Sequence, residues 1–206
     1  MSFYSVVDFI REHYPEYYGL HTYPKSDCVQ ILRLQDEWGV FSNFAATPLV
    51  VEGVAFPSAE HLYQLMKFTD PRVVANVRKG VTANGRICRH VKMTAKSYEQ
   101  TYRRPDWGRL FLDALKFCLV QKYRQCELFR QKLEASRGKS IVENQDAFPK
   151  KNPDAWGVKS TPDGIHFKGP NLQGRLLMEL RSAGTLEYRL PPDALDFIRA
   201  IQLARE

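Results

Sequence analysis

Residues 56–68 read Phe56-Pro57-Ser58-Ala59-Glu60-His61-Leu62-Tyr63-Gln64-Leu65-Met66-Lys67-Phe68, and the fold is read outward from them. Pro57 and Ser58 ahead of an apolar-periodic run predict a helix start, because a serine hydroxyl can accept from an unpaired N–H of the first turn. At about 100° per residue, Glu60, Gln64 and Lys67 fall on one stripe and Leu62, Leu65 and Met66 on the opposite one. That stripe reads in two ways: as a solvated polar face over a buried apolar one, or as a carboxylate, an amide and an amine gathered for acid–base work. Two features argue for the second. Glu60 stands in the first turn, where the helix dipole favours an ionised carboxylate, and the aromatic stretch Trp38 to Phe44 lies just upstream.

Upstream of the helix, Pro48 to Phe56 predicts a hairpin turning at Glu52-Gly53, and Cys28 to Leu34 a strand. Val6, Val7, Ile10 and Tyr14 recur at helical spacing before Pro15, and an aromatic loop through Tyr17, Tyr18 and Tyr23 follows. Downstream, Asp70-Pro71 predicts an N-cap and first helical residue, with Val73, Val74 and Val77 as the apolar stripe and Gly80 as the stop. A further short helix is expected from about Thr82. Asp106 can cap a long helix in which Trp107, Leu110, Phe111, Ala114, Leu115, Cys118 and Leu119 keep the core spacing. Another helix carries Leu128, Phe129 and Leu133 and stops at Gly138, before a short strand Ser140 to Glu143 and a polar loop over 144–157. Thr161-Pro162-Asp163-Gly164 predicts a hairpin turn, Asn171 a cap for the helix ending at Gly184, and Pro191-Pro192-Asp193 the opening of a last helix.

With 206 residues and 44% apolar content, the chain can bury a core of its own, and one domain is expected. The formal charge is +7, which biases it toward polyanionic partners or a phosphorylated substrate. The bias is local: residues 72–109 hold ten Lys or Arg against Glu99 and Asp106, a charge of +8. Cys28, Cys88, Cys118 and Cys126 lack the paired spacing of a zinc site or a disulfide framework, so reduced thiols and no metal are expected. The N-terminus has no basic start leading into a long apolar run, and no segment is apolar for long enough to span a bilayer. A soluble cytoplasmic protein without membrane contact is expected.

Candidate chemistry falls in four stretches: Ser42-Asn43-Phe44, Glu60 to Lys67, Arg103-Arg104-Pro105-Asp106-Trp107, and Asn152 to Arg175. Trp107 is either a core anchor or, beside two arginines, a stacking surface for a base or ribose. Asp154 either hydrogen-bonds its own loop or supplies the second carboxylate of glycosidic chemistry. Gly169 to Arg175 is either a plain turn or a helix start whose free N–H groups bind phosphate.

Taken in order, these stretches resemble the YbiA-like, or NADAR, family of N-glycosidases over roughly residues 29–182. The matching words are Phe41-Ser42-Asn43-Phe44, Ser58-Ala59-Glu60-His61 with Tyr63-Gln64 and Lys67-Phe68, Asp106-Trp107, Asp154 with Trp156-Gly157, and Asn171 to Gly174 with Leu177 to Arg181. The resemblance implies a single compact, helix-rich α+β domain with a small β-sheet. Residues 1–28 would be an accessory helix and loop, and residues 183–206 a helical extension. It implies hydrolysis of the bond between a phosphorylated ribose and a base or amine. The substrate would be ADP-ribose on guanine bases of nucleic acid, here preferred because of the basic segment, or phosphoribosyl intermediates of riboflavin biosynthesis. The same resemblance implies Glu60, Trp107 and Asp154 as catalytic and Lys67 as the residue that attacks the ribose anomeric carbon. Ser42, Asn43, Phe44, Gln64, Arg103, Arg104, Trp156, Gly157, Gly169, Asn171 and Gly174 are the expected substrate-binding positions. No cofactor is implied, and a functional pairing with an ADP-ribosyltransferase, as an antitoxin, is expected. A non-catalytic nucleic-acid-binding module is the reading of another class, supported by charge and by aromatic residues among arginines.

Overall fold

The computed structural model describes residues 6–79 and 88–203. The fold is α+β and rich in helix, but the expected small sheet is three: an antiparallel β1-β7-β6 sheet and the pairs β2-β5 and β3-β4. The chain divides into two units, Met1–Ser42 with Leu128–Leu186, and Asn43–Glu127 with Glu187–Glu206. The first 28 residues therefore belong to the first unit, and the C-terminal helix to the second.

In the first unit, α1 (Val6–His13) leads into β1 (His21–Pro24), in the stretch expected to be an aromatic loop. Tyr23 is buried on this strand, and β1 pairs antiparallel with β7 (His166–Gly169), which also takes β6 (Lys159–Ser160). The expected hairpin turn is present, with Gly164 at φ 77°. β2 (Cys28–Ile31) is shorter than expected and runs parallel to β5 (Ser140–Glu143). Tyr23, Val142, Val158 and Phe167 form a buried cluster that Cys28 and Met178 flank. Two helices complete the unit: α6 (Glu127–Ala135), with Phe129 and Leu133 buried, and α7 (Leu172–Ala183), packed along β5.

The second unit opens with the hairpin β3 (Leu49–Val51) and β4 (Val54–Phe56), which turns at Glu52 and Gly53 with φ 47° and 74°. Ser58 caps α2 (Ala59–Leu65), its hydroxyl accepting from the His61 N–H at 3.4 Å. Asp70 caps α3 (Pro71–Lys79) as expected, accepting from Arg72 N at 2.8 Å and Val73 N at 3.2 Å. The expected stop at Gly80 and helix start near Thr82 lie outside the described residues. From Cys88, α4 (Cys88–Tyr102) runs for 15 residues, far longer than periodicity suggested. The core of this unit is α5 (Trp107–Gln125), which buries Leu110, Phe111, Leu112, Ala114, Leu115, Phe117, Cys118, Leu119 and Val120. The last helix, α8 (Asp196–Leu203), starts after the expected Pro-Pro-Asp opening, and Phe197 meets Phe56 edge to face at 6.0 Å. α2 packs against both α4 and α5. Cys28, Cys118 and Cys126 carry free thiols, and no helix among the described residues is long and apolar enough to cross a membrane.

Candidate active site

α2 is buried on almost every side. Its polar stripe is not a solvated face: Glu60 is 6% exposed, Gln64 2% and Lys67 7%. Buried polar groups must find partners, and these find one another. Gln64 Nε2 donates to Glu60 Oε1 at 2.7 Å, and the Glu60 N–H donates to the Asn43 carbonyl at 2.9 Å. Gln64 Oε1 is buried with no partner among the described residues, an acceptor facing the same interior.

The helix ends at Leu65, so Lys67 lies one residue past its C-cap, Met66, and not on a continuous helical stripe. What holds Lys67 is a bridge. Phe68 pairs antiparallel with Arg103, and Arg104 N donates to the Lys67 carbonyl at 2.9 Å. The segment between α4 and α5 is thereby tied to the end of α2, and Trp107 follows within one turn, its N–H donating to Arg104 O at 3.2 Å. The Lys67 ammonium donates to Glu99 Oε1 at 2.6 Å and stands 5.7 Å from the ring centroids of both Tyr63 and Trp107. Those two rings meet edge to face at 5.2 Å, a cation–π cradle for the amine. Trp107 is 6% exposed, so its core-anchor and ring-platform roles coincide.

Burial sets the protonation of this cluster. Glu60's carboxyl is pushed above the ordinary glutamate range by desolvation, which outweighs the hydrogen bond from Gln64 and the charges of Lys92 and Lys67. Burial thus opposes the ionisation that the helix dipole alone would favour. Lys67 is moved below the ordinary lysine range by desolvation, although Glu99 and Glu60 pull it back. The site therefore joins an acid inclined to keep its proton to an amine inclined to lose one, the pair that acid-assisted nucleophilic attack requires.

Glu99 escaped the sequence reading because α4 did not read as a long helix. Phe44 joins the cluster through Lys92, whose ammonium stands 5.7 Å over its ring. Arg103 lies 3.9 Å from the second oxygen of Glu99. Arg104 is placed otherwise than expected: it is 5% exposed, and its guanidinium is held by Asp106 at 2.6 and 2.8 Å and by Asp193 at 2.9 Å. With Nε and Nη2 committed to two aspartates, it ties the α5 start to the segment before α8 and its charge is matched there. For the same reason Asp106 makes no side-chain cap on α5.

The remaining expected positions fall in the first unit. Ser42 closes a short turn, its N–H donating to Gly39 O at 3.1 Å. Asp154 is exposed, and Asp154 Oδ1 accepts from Gln145 Nε2 at 2.6 Å and from the Trp156 N–H at 2.9 Å. Its local hydrogen-bonding role is thus realised. At the start of α7, where phosphate binding was expected, three N–H groups are already taken. The N–H groups of Asn171, Leu172 and Gln173 already donate to Gly157, Ala155 and Trp156 carbonyls at 3.1 Å each. Asn171, left-handed at φ 53°, makes no side-chain cap; its amide instead bridges β5, accepting from Glu143 N and donating to Ile141 O. Gly157, Gly169 and Gly174 serve close backbone approach: a Cβ on them would stand 2.4, 2.4 and 2.0 Å from a carbonyl oxygen of Glu143, Gly157 and Ile141.

A helix-rich α+β protein with a buried Glu–Lys–Trp constellation is the class these features define. The NADAR domain model matches residues 32–183. N-glycosidase YbiA of Escherichia coli (strain K12) is 32% identical over 152 residues, spanning 74% of this chain and 85% of that protein. A riboflavin biosynthesis protein of Vibrio vulnificus is 28% identical over 167 residues, which are 80% of this chain and 40% of that longer protein. The NMR structure of the E. coli protein YbiA superposes with a TM-score of 0.54 at 28% identity, covering 75% of this chain and 83% of that one. The chain belongs to the NADAR family.

Proposed function

We propose that this protein is an N-glycosidase that cleaves the bond between the anomeric carbon of a phosphorylated ribose and a base or amine nitrogen. The observation that carries the reading is the Lys67 amine, buried over Tyr63 and Trp107, anchored by Glu99 and accompanied by protonatable Glu60. The names of the relatives, N-glycosidase among them, support it.

In this mechanism neutral Lys67 attacks the anomeric carbon and the C–N bond breaks, its electron pair leaving with the base nitrogen. Glu60 delivers the proton that nitrogen takes up. The lysine adduct loses a proton, and the ring C–O bond opens with protonation of that oxygen, leaving an imine between Lys67 and the sugar. Water adds to the imine carbon, the C–N bond to Lys67 breaks, and the sugar leaves with the amine restored. Trp107 and Tyr63 line the cationic centre, and Gln64 Oε1 accepts from a ribose hydroxyl. Asp154, catalytic by family resemblance, is tested by Asp154→Asn.

For the finer substrate, the lead reading is ADP-ribose on guanine of nucleic acid, in a cytoplasmic setting and opposite an ADP-ribosyltransferase, because the 72–109 segment is strongly basic. The riboflavin biosynthesis relative favours the phosphoribosyl intermediate. Incubation with each substrate, with released base or sugar followed by mass spectrometry, separates them. Borohydride during turnover is expected to leave a sugar adduct on Lys67. Product without adduct removes the imine route, and tight binding of unmodified oligonucleotide without cleavage of either substrate overturns the glycosidase reading.

A further inference from the structure

On α4, Lys92, Lys96, Glu99 and Arg103 follow at i, i+4, i+7 and i+11, with Arg103 just beyond the helix end. At about 100° per residue this spacing makes them one stripe. Two of its members are anchored to the reactive groups. Glu99 holds Lys67 at 2.6 Å, and Lys92 stands over Phe44 while its charge acts on both Glu60 and Lys67. Helical spacing puts Lys96 on this same stripe, one turn from Lys92 and between it and Glu99.

Several cations of this region have carboxylate partners. Arg72 has Asp70, Lys67 and Arg103 have Glu99, and Arg104 has Asp106 and Asp193. Neither Lys92 nor Lys96 has a carboxylate within ion-pair distance among the described residues, and both are exposed. Their backbones stand about 6 Å apart along the helix axis, at about 1.5 Å of rise per residue. Two uncompensated ammonium groups one turn apart, beside an electrophile-seeking amine, suit an anion carried by the substrate itself.

We propose that Lys92 and Lys96 form the phosphate-binding edge of this site, taking the phosphate ester of the ribose whose anomeric carbon meets Lys67. The inference rests on the N-glycosidase reading and adds to it where the phosphate lies. It places the phosphate away from the start of α7, where the sequence suggested it. The ester can be a monophosphate or a diphosphate; the lysine pair recognises the chemistry they share.

Calorimetric titration with ribose 5-phosphate and with ADP-ribose, alongside cleavage kinetics, tests it on wild-type protein, Lys96→Met, Lys96→Arg and Lys92→Met/Lys96→Met. Lys96→Met is expected to weaken binding and raise KM for the phosphorylated substrate about tenfold, with the double variant binding more weakly still. Lys96→Arg should retain most of the affinity. The phosphatase-treated substrate should show the same KM with wild type and Lys96→Met. A second step of weakening in the double variant for ADP-ribose alone identifies the diphosphate; equal steps for ribose 5-phosphate identify the monophosphate. Wild-type turnover with unchanged KM in the lysine variants, or an equal loss on the dephosphorylated substrate, overturns this inference alone. A wild-type protein that binds neither compound and releases no base or sugar from either the ADP-ribosylated or the phosphoribosyl substrate overturns the glycosidase reading with it.

Discussion

The starts of α2 and α7 look alike in sequence, each a capping residue ahead of a helix with polar residues in its first turns, yet they do different work. At α7 the polar groups are consumed by the fold: backbone carbonyls of 155–157 take its first N–H groups, and the Asn171 amide completes β5. At α2 the polar side chains pair with each other and with Glu99, and burial shifts their proton affinities in opposite senses. A polar residue satisfied by backbone is framework. A buried one whose side-chain partners are other polar side chains is a candidate for chemistry.

The sharpest test of this contrast is Glu60→Gln, expected to lower kcat roughly 10²–10⁴-fold. The same change should raise the melting temperature at neutral pH, while both proteins melt alike near pH 4. The sign follows from the raised carboxyl: below about pH 4.3, folded and unfolded states both hold the proton. As pH rises through the folded value, the native state loses stability that the amide retains. A Gln variant that is fully active, or that melts lower at pH 7, breaks the comparison.

At α7 the order of effects reverses. Gly174→Ala is expected to destabilise by roughly 2–4 kcal/mol, because its methyl would meet the Ile141 carbonyl. Chemical denaturation measures this, and turnover of the remaining folded protein should be unchanged. Asn171→Ala, which strips partners from Glu143 N–H and Ile141 C=O, should cost about 2 kcal/mol. A loss of phosphate-substrate affinity at constant stability in either variant would return α7 to the binding site.

The smallest effect belongs to Glu99→Gln. Glu99 holds the amine's pKa up against desolvation; without its charge, Lys67 is left to burial and to Lys92, with Glu60 opposing. The rising limb of kcat/KM against pH should therefore move to lower pH, since the neutral amine is the reactive form. An unmoved limb, measured beside borohydride trapping on wild type, separates an anchoring carboxylate from an idle one.

Local pattern carried much of this. The Ser58 and Asp70 caps, the turn at Glu52-Gly53 and the core stripe of α5 are each written within a few residues, where geometry depends on neighbours in the chain. Glu60 and Gln64 were legible from helical spacing as well, whereas Trp107 joined them only through the family resemblance, and Lys67 lies beyond the end of the helix that was to carry it. What sequence alone did not determine are pairings between distant residues. β2 finds β5 more than a hundred residues on, Tyr23 sits on a strand beside Phe167, and Arg104 closes on Asp193. Glu99 meets Lys67 where α4 packs on α2 and Phe68 bridges Arg103. Periodicity reports which face of a segment is buried, but a carboxylate's partner and a lysine's proton affinity depend on what packs against them from elsewhere, and that the tertiary structure alone decides.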